Sequence, residues 1–181
     1  MPSIEAMLDD VLRKEGGYVD DPADAGGATN RGISLRYAKG VGLDLDGDGD
    51  TDKDDIRLVT VEDAKRLYRE DFYTGPRIDT LPVAIQPVLF DYAVNSGPPR
   101  ALMAMQRVLN LADFPCDVDG VIGPQTRKQA DVASEAMGGY LVNAICDYRQ
   151  RFYDRIVERN PSQQRFLKGW TRRCDSFRVE V

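Results

Sequence analysis

The amino-acid sequence predicts a mostly α-helical protein. Apolar residues recur at intervals of three and four through most of the chain, helix-starting and helix-ending residues separate these segments, and no series of strands is indicated. A chain of 181 residues can form one well-packed core, or one core with a small appended lobe. With 42% hydrophobic and 30% charged residues, the composition is that of a globular protein.

The first predicted helix covers residues 3–15, with Ser3 as candidate N-cap and Gly16 and Gly17 as its stop. Residues 18–43 are rich in Gly, Asp, Pro and Asn, which predicts loops with a small hairpin or a short helix. A segment resembling a capping box, residues 60–63, begins a helix that runs to about Tyr73. Further helices are predicted from Pro82 to about 95 and over 99–110, 124–136, 139–159 and 162–176.

Composition excludes several classes of chemistry. The chain has no histidine, so Ser-His-Asp and Cys-His nucleophiles and histidine metal sites are excluded, and carboxylates are the main acid–base groups left. The three cysteines, Cys116, Cys146 and Cys174, are odd in number and far apart. They predict free thiols of a reducing cytoplasm rather than a disulfide framework or a metal clip.

The net charge of −6 belongs to one loop. Residues 44–55 contain seven aspartates and one lysine, so the rest of the chain is balanced. No Lys/Arg stripe with interleaved aromatic residues is present, so a nucleic-acid partner is not expected. No apolar run approaches about 20 residues, and the first residues lack the pattern of a signal peptide, so neither membrane insertion nor a cleaved leader is expected.

The segment from Glu15 to Gly32 carries the strongest candidate for chemistry. Glu15 ends a predicted helix, where the macrodipole disfavours a carboxylate and so raises its pKa, as a general acid requires. Asp24 and Thr29 follow in a glycine-rich loop that can approach a substrate closely. Taken alone, a glutamate at a helix end is more often only a solvated side chain.

The pattern Glu15-Gly16-Gly17-Tyr18…Pro22…Asp24…Gly26-Gly27…Thr29-Asn30…Gly32-Ile33 resembles the signature of the lysozyme-like muramidases of glycoside hydrolase family 108. Residues 90–97 resemble a helix of the same family, residues 119–126 its peptidoglycan-binding region, and residues 166–170 its closing segment. The resemblance implies a lysozyme-like helical bundle with a loop-rich catalytic cleft. It assigns residues 1–97 to the catalytic region and 98–181 to a helical peptidoglycan-binding region packed on it.

The activity that the resemblance implies is hydrolysis of the β-1,4 bond between N-acetylmuramic acid and N-acetylglucosamine. Glu15 matches the catalytic glutamate and is expected to protonate the glycosidic oxygen, while Asp24 and Thr29 hold a water on the opposite face. This inverting mechanism predicts carboxylates roughly 6.5–9.5 Å apart. The order Glu, Asp, Thr also resembles the triad of phage-type lysozymes, although Thr29 comes one residue sooner than in that pattern.

Other residues near these motifs have two interpretations. Asp20 and Asp21 are rival second carboxylates, or they cap the loop; Asp91 supports the active-site loop, or it is a satisfied structural acid. The candidate sugar contacts, which could equally be packing or turn residues, are Tyr18, Tyr92 and Asn95.

The acidic loop has the spacing of an EF-hand, closer to dockerin-type loops. Gly49 stands at position 6, and positions 1, 3, 5, 7, 9 and 12 are occupied by Asp44, Asp46, Asp48, Asp50, Asp52 and Asp55. This predicts a structural calcium ion, with Asp50 offering its backbone carbonyl. Three features depart from the pattern: Asp55 is shorter than the usual glutamate, Thr51 replaces the usual aliphatic residue at position 8, and no apolar helix clearly precedes the loop. The alternative is a solvated acidic insert.

Two features of the C-terminal region also have two interpretations. Residues 117–120 form the turn of a wall-binding element, or simply a turn between helices. The last predicted helix has a basic face, formed by Arg165, Lys168, Arg172 and Arg173. This face either contacts anionic peptidoglycan or is only solvated. Trp170 is expected in the core.

Together these features predict a monomeric peptidoglycan hydrolase of the endolysin type, made in the cytoplasm and released to the wall through holin pores. A bacterial muramidase that opens the wall for secretion is the second interpretation. Three alternatives remain: a lytic transglycosylase using the same glutamate, a non-catalytic calcium-dependent wall-binding module, and a structural or secretion partner.

Overall fold

The structure, a computed structural model, describes residues 3–20 and 27–181, with only the backbone of Lys14 and Glu15. In this part of the chain it contains nine α-helices and one two-stranded antiparallel sheet, so the predicted mostly α fold is confirmed. The chain divides into two compact units, residues 2–70 and 71–181. The predicted division into regions 1–97 and 98–181 stays a prediction.

The unit 2–70 combines short helices with one hairpin. Its elements are α1 (Ile4–Glu15), β1 (Thr29–Asn30), β2 (Ile33–Ser34), α2 (Leu35–Val41), α3 (Lys53–Leu58) and α4 (Val61–Arg69). Ser3 caps α1 as predicted, since its Oγ accepts a hydrogen bond from the Ala6 amide at 3.2 Å. Helices α1 and α4 contact each other, and Leu8, Val11 and Ala64 are fully buried.

Three local features of this unit differ from the prediction. Both a hairpin and a short helix form in the segment 18–43, where only one of them was expected. Helix α3 was not predicted, because the aspartates around it obscure a helical pattern. Helix α4 starts with the predicted capping box at Thr60, but its regular part ends at Arg69, and a single π-helical turn covers Glu70–Thr74.

The unit 71–181 is a set of longer packed helices. They are α5 (Gln86–Ser96), α6 (Pro98–Leu111), α7 (Pro124–Met137), α8 (Gly139–Arg159) and α9 (Gln164–Asp175), with 3₁₀ turns at Ile78–Thr80 and Pro161–Gln163. Helix α5 begins four residues later than predicted, because the Ile85 amide bonds the Pro82 carbonyl in a turn. The core contains Leu89, Leu102, Met105, Leu141 and Ile145.

The three cysteines are buried and free, as the sequence predicted. Burial raises the pKa of the Cys146 thiol to about 12, so this group stays protonated and unreactive at neutral pH. No helix in the described ranges is long and apolar enough to cross a membrane.

Candidate active site

The loop that follows α1 is tied to strand β1. Helix α1 ends at Glu15, the predicted general acid, and Gly16 turns the chain with φ of 76°. Val19 and Thr29 then exchange two backbone hydrogen bonds, each 2.7 Å long. The backbone therefore brings Thr29, one of the predicted water-holding residues, beside the segment that leaves Glu15.

The hydroxyl of Thr29 already acts as a hydrogen-bond donor within the protein. Its Oγ1 donates to the Gly27 carbonyl at 3.3 Å, so the single proton is engaged and the lone pairs remain as acceptors. Gly27 has φ of +73°, and a Cβ there would lie 3.3 Å from the Leu35 Cβ, so this close approach requires glycine.

The hairpin that carries Thr29 is anchored by its neighbour Asn30. Arg31 and Gly32 both have positive φ, 53° and 78°, which makes the two-residue turn of type I′. Asn30 is only 7% exposed, and its Nδ2 donates to the carbonyls of Ile56 at 2.9 Å and Val59 at 3.4 Å. The sequence motif includes Asn30 but does not reveal that its side chain anchors the hairpin. The position of this asparagine, directly before a two-residue turn, is the feature that could have indicated such a role.

Helix α3 contacts the segment between Glu15 and Thr29 at two points. The Arg57 guanidinium lies 5.5 Å from the centre of the Tyr18 ring, and Lys53 Nζ lies 3.0 Å from Asp20 Oδ2. Tyr18 stays 38% exposed, so its ring is open to a ligand. Asp20 carries an ion pair, which favours its structural interpretation over that of a second catalytic carboxylate.

Part of the predicted site lies outside the described residues. This applies to Asp21 and Asp24, and to the side chain of Glu15. The predicted separation between the Glu15 and Asp24 carboxylates therefore stays a prediction.

Two predicted sugar contacts lie on α5 in the unit 71–181 and have opposite environments. Tyr92 is 1% exposed, with the Arg149 guanidinium 4.8 Å from its ring centre, and burial raises the pKa of its hydroxyl. This is the packing role that the sequence left open. Asn95 is exposed, and its Oδ1 accepts a hydrogen bond from the Tyr153 hydroxyl at 2.8 Å.

Asp91 is a buried structural acid. Arg149 Nη1 lies 2.8 Å from Asp91 Oδ2, and Arg173 Nε donates to both Asp91 oxygens at 2.8 and 2.9 Å. Arg173 thus turns inward, whereas the other members of the predicted basic face, Arg165, Lys168 and Arg172, are exposed. Sequence reasoning missed Arg149, although it stands four residues after Ile145 on the buried face of α8.

The acidic loop forms two groups of convergent carboxylates. Oxygens within 4.8 Å of one another come from Asp44, Asp46 and Asp48, and separately from Asp50, Asp52 and Asp55. These are hard oxygen donors of the kind that calcium prefers. The short helix α2 precedes the loop: it ends at Val41, is closed by Gly42 in the left-handed conformation, and buries only Ala38, so it is not the apolar helix of a full EF-hand.

The loop is shaped by its own backbone hydrogen bonds. Asp44 accepts from the amides of Gly47 at 2.6 Å and Gly49 at 3.1 Å, while buried Asp55 accepts from Leu45 at 2.6 Å and Asp52 at 2.8 Å. These bonds from Asp52 and Leu45 lower the pKa of Asp55. A ligand at position 12 therefore keeps only the lone pairs that the amides leave free.

Charge repulsion acts within the same loop. The neighbouring Asp48 raises the pKa of Asp50, and desolvation and Asp52 act in the same direction. A divalent cation would relieve this repulsion, so the donor set fits such an ion.

The turn at residues 117–120 joins α6 to α7 and is held by hydrogen bonds to Gln106. Fully buried Gln106 donates through Nε2 to Asp119 Oδ1 at 2.8 Å and accepts at Oε1 from the Gly120 amide at 2.8 Å. Asp119 Oδ1 also accepts from the Val121 amide at 2.8 Å. The geometry supports the interpretation as a turn between helices.

Comparisons with known proteins agree with this organisation. A family described as Glycosyl hydrolase 108 matches residues 8–97, and one described as Predicted Peptidoglycan domain matches residues 100–175. The structure of SagA from Brucella abortus is similar with a TM-score of 0.75 and 30% sequence identity, over 96% of this chain and 90% of that one. Comparison with curated protein sequences returns no match.

Proposed function

Because the chain belongs to the glycosyl hydrolase 108 family and is a peptidoglycan hydrolase of the muramidase type, we propose that it cleaves the β-1,4 bond between N-acetylmuramic acid and N-acetylglucosamine with Glu15 as general acid. The observation that supports this most is the pairing of Val19 with Thr29. It places Thr29 beside the backbone that leaves Glu15, four residues after the proposed general acid. The lysozyme-like fold agrees with this assignment.

The proposed mechanism is inverting. Glu15 protonates the glycosidic oxygen as the bond to the anomeric carbon breaks, and Asp24 removes a proton from a water on the opposite face. The Thr29 hydroxyl supports this arrangement because its proton points to Gly27, so it can only accept. A water that donates one proton to Asp24 and the other to Thr29 keeps a lone pair for the anomeric carbon.

Digestion of purified peptidoglycan, followed by mass analysis of the products, tests this proposal. We expect Glu15→Gln to lower kcat by about 10²–10⁴-fold, since general acid catalysis contributes that factor. Asp24→Asn should cause a comparable loss, and the wild-type products should have reducing ends. Glu62→Gln is the matched control, because Glu62 is an exposed glutamate in the first turn of α4.

Each alternative predicts a different result. A lytic transglycosylase leaves 1,6-anhydro ends and tolerates Asp24→Asn. A wall-binding module binds sacculi but releases no fragments, and a structural partner does neither. Full activity of Glu15→Gln would refute the assignment of the general acid.

We further propose that the acidic loop binds one calcium ion in a structural role. Oxygens of Asp44, Asp46 and Asp48 converge, and carboxylate repulsion within the loop favours a divalent cation. Asp52 and Asp55, which belong to the second group of convergent oxygens, would add ligands from the start of α3 when the loop closes around the ion. The ion takes no part in the chemistry, because acid and water activation are assigned to protein side chains.

The biological setting follows from the substrate. Peptidoglycan as the partner is consistent with the match of residues 100–175, and the proposed place of action is the cell wall. A lytic role of the endolysin type with holin-dependent release, and a monomeric state, stay predictions.

A further inference from the structure

The exposed amide of Asn95 is held on one side only. Its Oδ1 accepts from the Tyr153 hydroxyl at 2.8 Å, and more weakly from Ser96 Oγ at 3.4 Å. Among the described residues, Asn95 Nδ2 donates to no acceptor. The side chain lies exposed in the last turn of α5, with neither Nδ2 proton bonded to any residue that the structure describes.

The direction of this amide is determined by Arg149. Arg149 Nε donates to the Tyr153 oxygen at 2.9 Å, and a guanidinium has no lone pair to accept a bond in return. The single proton of Tyr153 must then go to Asn95, whose oxygen has to face it. A flipped amide would turn its NH₂ towards Tyr153 and leave the tyrosine proton without an acceptor.

Arg149 is itself rigidly held. Its side chain is fully buried, forms an ion pair with Asp91 on α5, and lies over the rings of Tyr92 and Tyr153 at 4.8 and 5.6 Å. Asp91 is also bonded by Arg173 of α9, so three helices contribute to one cluster of charges. A donor positioned by buried charges and packed rings loses little conformational entropy on binding.

On the basis of the proposed function, we propose that Asn95 Nδ2 donates a hydrogen bond to the acetamido carbonyl of a peptidoglycan sugar. Tyr153 and Arg149 act as positioning residues for this contact. The chemistry selects such a ligand because the side chain presents only donors, and an acetamido carbonyl is a strong neutral acceptor on this polymer. Asn95 would thereby make the affinity for peptidoglycan depend on the N-acetylation of its sugars.

The test compares kcat and KM on three peptidoglycan preparations: native, chemically de-N-acetylated, and re-N-acetylated as a control for the treatment. We expect Asn95→Ala to raise KM about fivefold to tenfold on the two acetylated preparations, the effect of one lost hydrogen bond, and to leave the de-N-acetylated one unchanged. Tyr153→Phe should show the same pattern with a smaller change. Tyr148→Phe is the matched control, a half-buried tyrosine on the same helix.

A second measurement does not depend on activity. The side-chain NH₂ resonances of Asn95, assigned by their loss in Asn95→Ala, should shift when N-acetylglucosamine oligomers are added and stay in place with glucosamine oligomers. In Tyr153→Phe the same resonances should broaden or double in the free protein, because the amide can then flip.

The outcomes separate the two proposals. An equal loss by Asn95→Ala on all preparations, or resonances that do not respond to N-acetylated oligomers, overturns the acetamido contact. A Tyr153→Phe enzyme identical to wild type overturns the positioning role. A wild-type protein that cleaves no preparation but whose Asn95 resonances respond to the oligomers refutes the proposed function and leaves this contact standing.

Discussion

The two units of this protein differ in where many of their polar side chains find partners. In residues 2–70 several of them, such as Thr29 and the loop aspartates, bond to backbone close by in sequence and keep free lone pairs at the surface, whereas Asn30 reaches the more distant Ile56 and Val59. In residues 71–181 they pair over long sequence separations in the interior, as Asp91 does with Arg149 and Arg173. The first arrangement leaves groups available for ligands, whereas the second stabilises a scaffold that positions the exposed amide of Asn95.

The largest expected effect comes from breaking the interior arrangement. Asp91→Asn leaves two arginines with a neutral partner, and removal of one member of a buried ion pair costs about 3–5 kcal/mol. The melting temperature should fall by roughly 10 °C. The matched control is Glu70→Gln, whose exposed pair with Arg66 is worth less than about 1 kcal/mol. Equal destabilisation by both variants would contradict the distinction between the two units.

Two glycines with nearly equal positive φ angles sharpen the comparison. Gly120 and Gly47 have φ of 77° and 78°, but a Cβ at Gly120 would lie 3.1 Å from the Pro99 carbonyl oxygen, while nothing lies within 4 Å at Gly47. Alanine at Gly47 should cost only the backbone strain, about 1–2 kcal/mol. Gly120→Ala adds overpacking, so urea unfolding should show a loss of about 2–4 kcal/mol. Comparable losses would show that the turn at 117–120 adjusts freely.

The same contrast explains what could be predicted from the sequence. Ser3, Thr60 and the spacing of the loop aspartates act through neighbours a few residues away, so helix starts and the candidate ion loop could be recognised. The partners of Asp91 lie on helices far along the chain, and no local pattern identifies them. Helix α3 is hidden among aspartates that match the spacing of ion ligands, but Asp52 and Asp55 also form its capping box, and their oxygens bond the backbone.

Calcium should increase the free energy of unfolding of the unit 2–70. At about 100 times its dissociation constant, an ion that binds only the folded state adds about 2.7 kcal/mol. Melting in calcium and in chelator measures this shift, and Asp46→Asn should reduce it because Asp46 belongs to the convergent group. The control is Asp113→Asn, an exposed aspartate outside the loop. No calcium-dependent shift would remove the ion from the proposal.

The pH dependence of the loop should change direction with the ion. In chelator, the pKa of Asp50 is raised in the folded state by Asp48, so protonation on mild acidification relieves repulsion and stabilises the fold. The lowered pKa of Asp55 acts oppositely: its contribution is present above its unfolded value, near 3.8, and is lost as pH falls through the folded value. With calcium bound, protons compete with the ion for the carboxylates, so stability should fall as the pH drops into the range where aspartates titrate, below about pH 5. Identical pH profiles in calcium and chelator would contradict this.

The smallest expected effect concerns the lone pairs of the Thr29 hydroxyl, which can still accept a hydrogen bond. Thr29→Val keeps the shape of the side chain but removes the oxygen that accepts from the catalytic water, so kcat should fall about tenfold, the effect of roughly 1.4 kcal/mol. Thr29→Ser keeps the oxygen and should stay within about twofold of wild type. Since the backbone pairing with Val19 is unaffected, neither variant should change the melting temperature by more than a few degrees. If kcat falls only in proportion to a loss of stability, Thr29 has a structural role rather than a role in holding the water. The contrast between the two units would then not hold for Thr29, the residue of this comparison that is closest to catalysis.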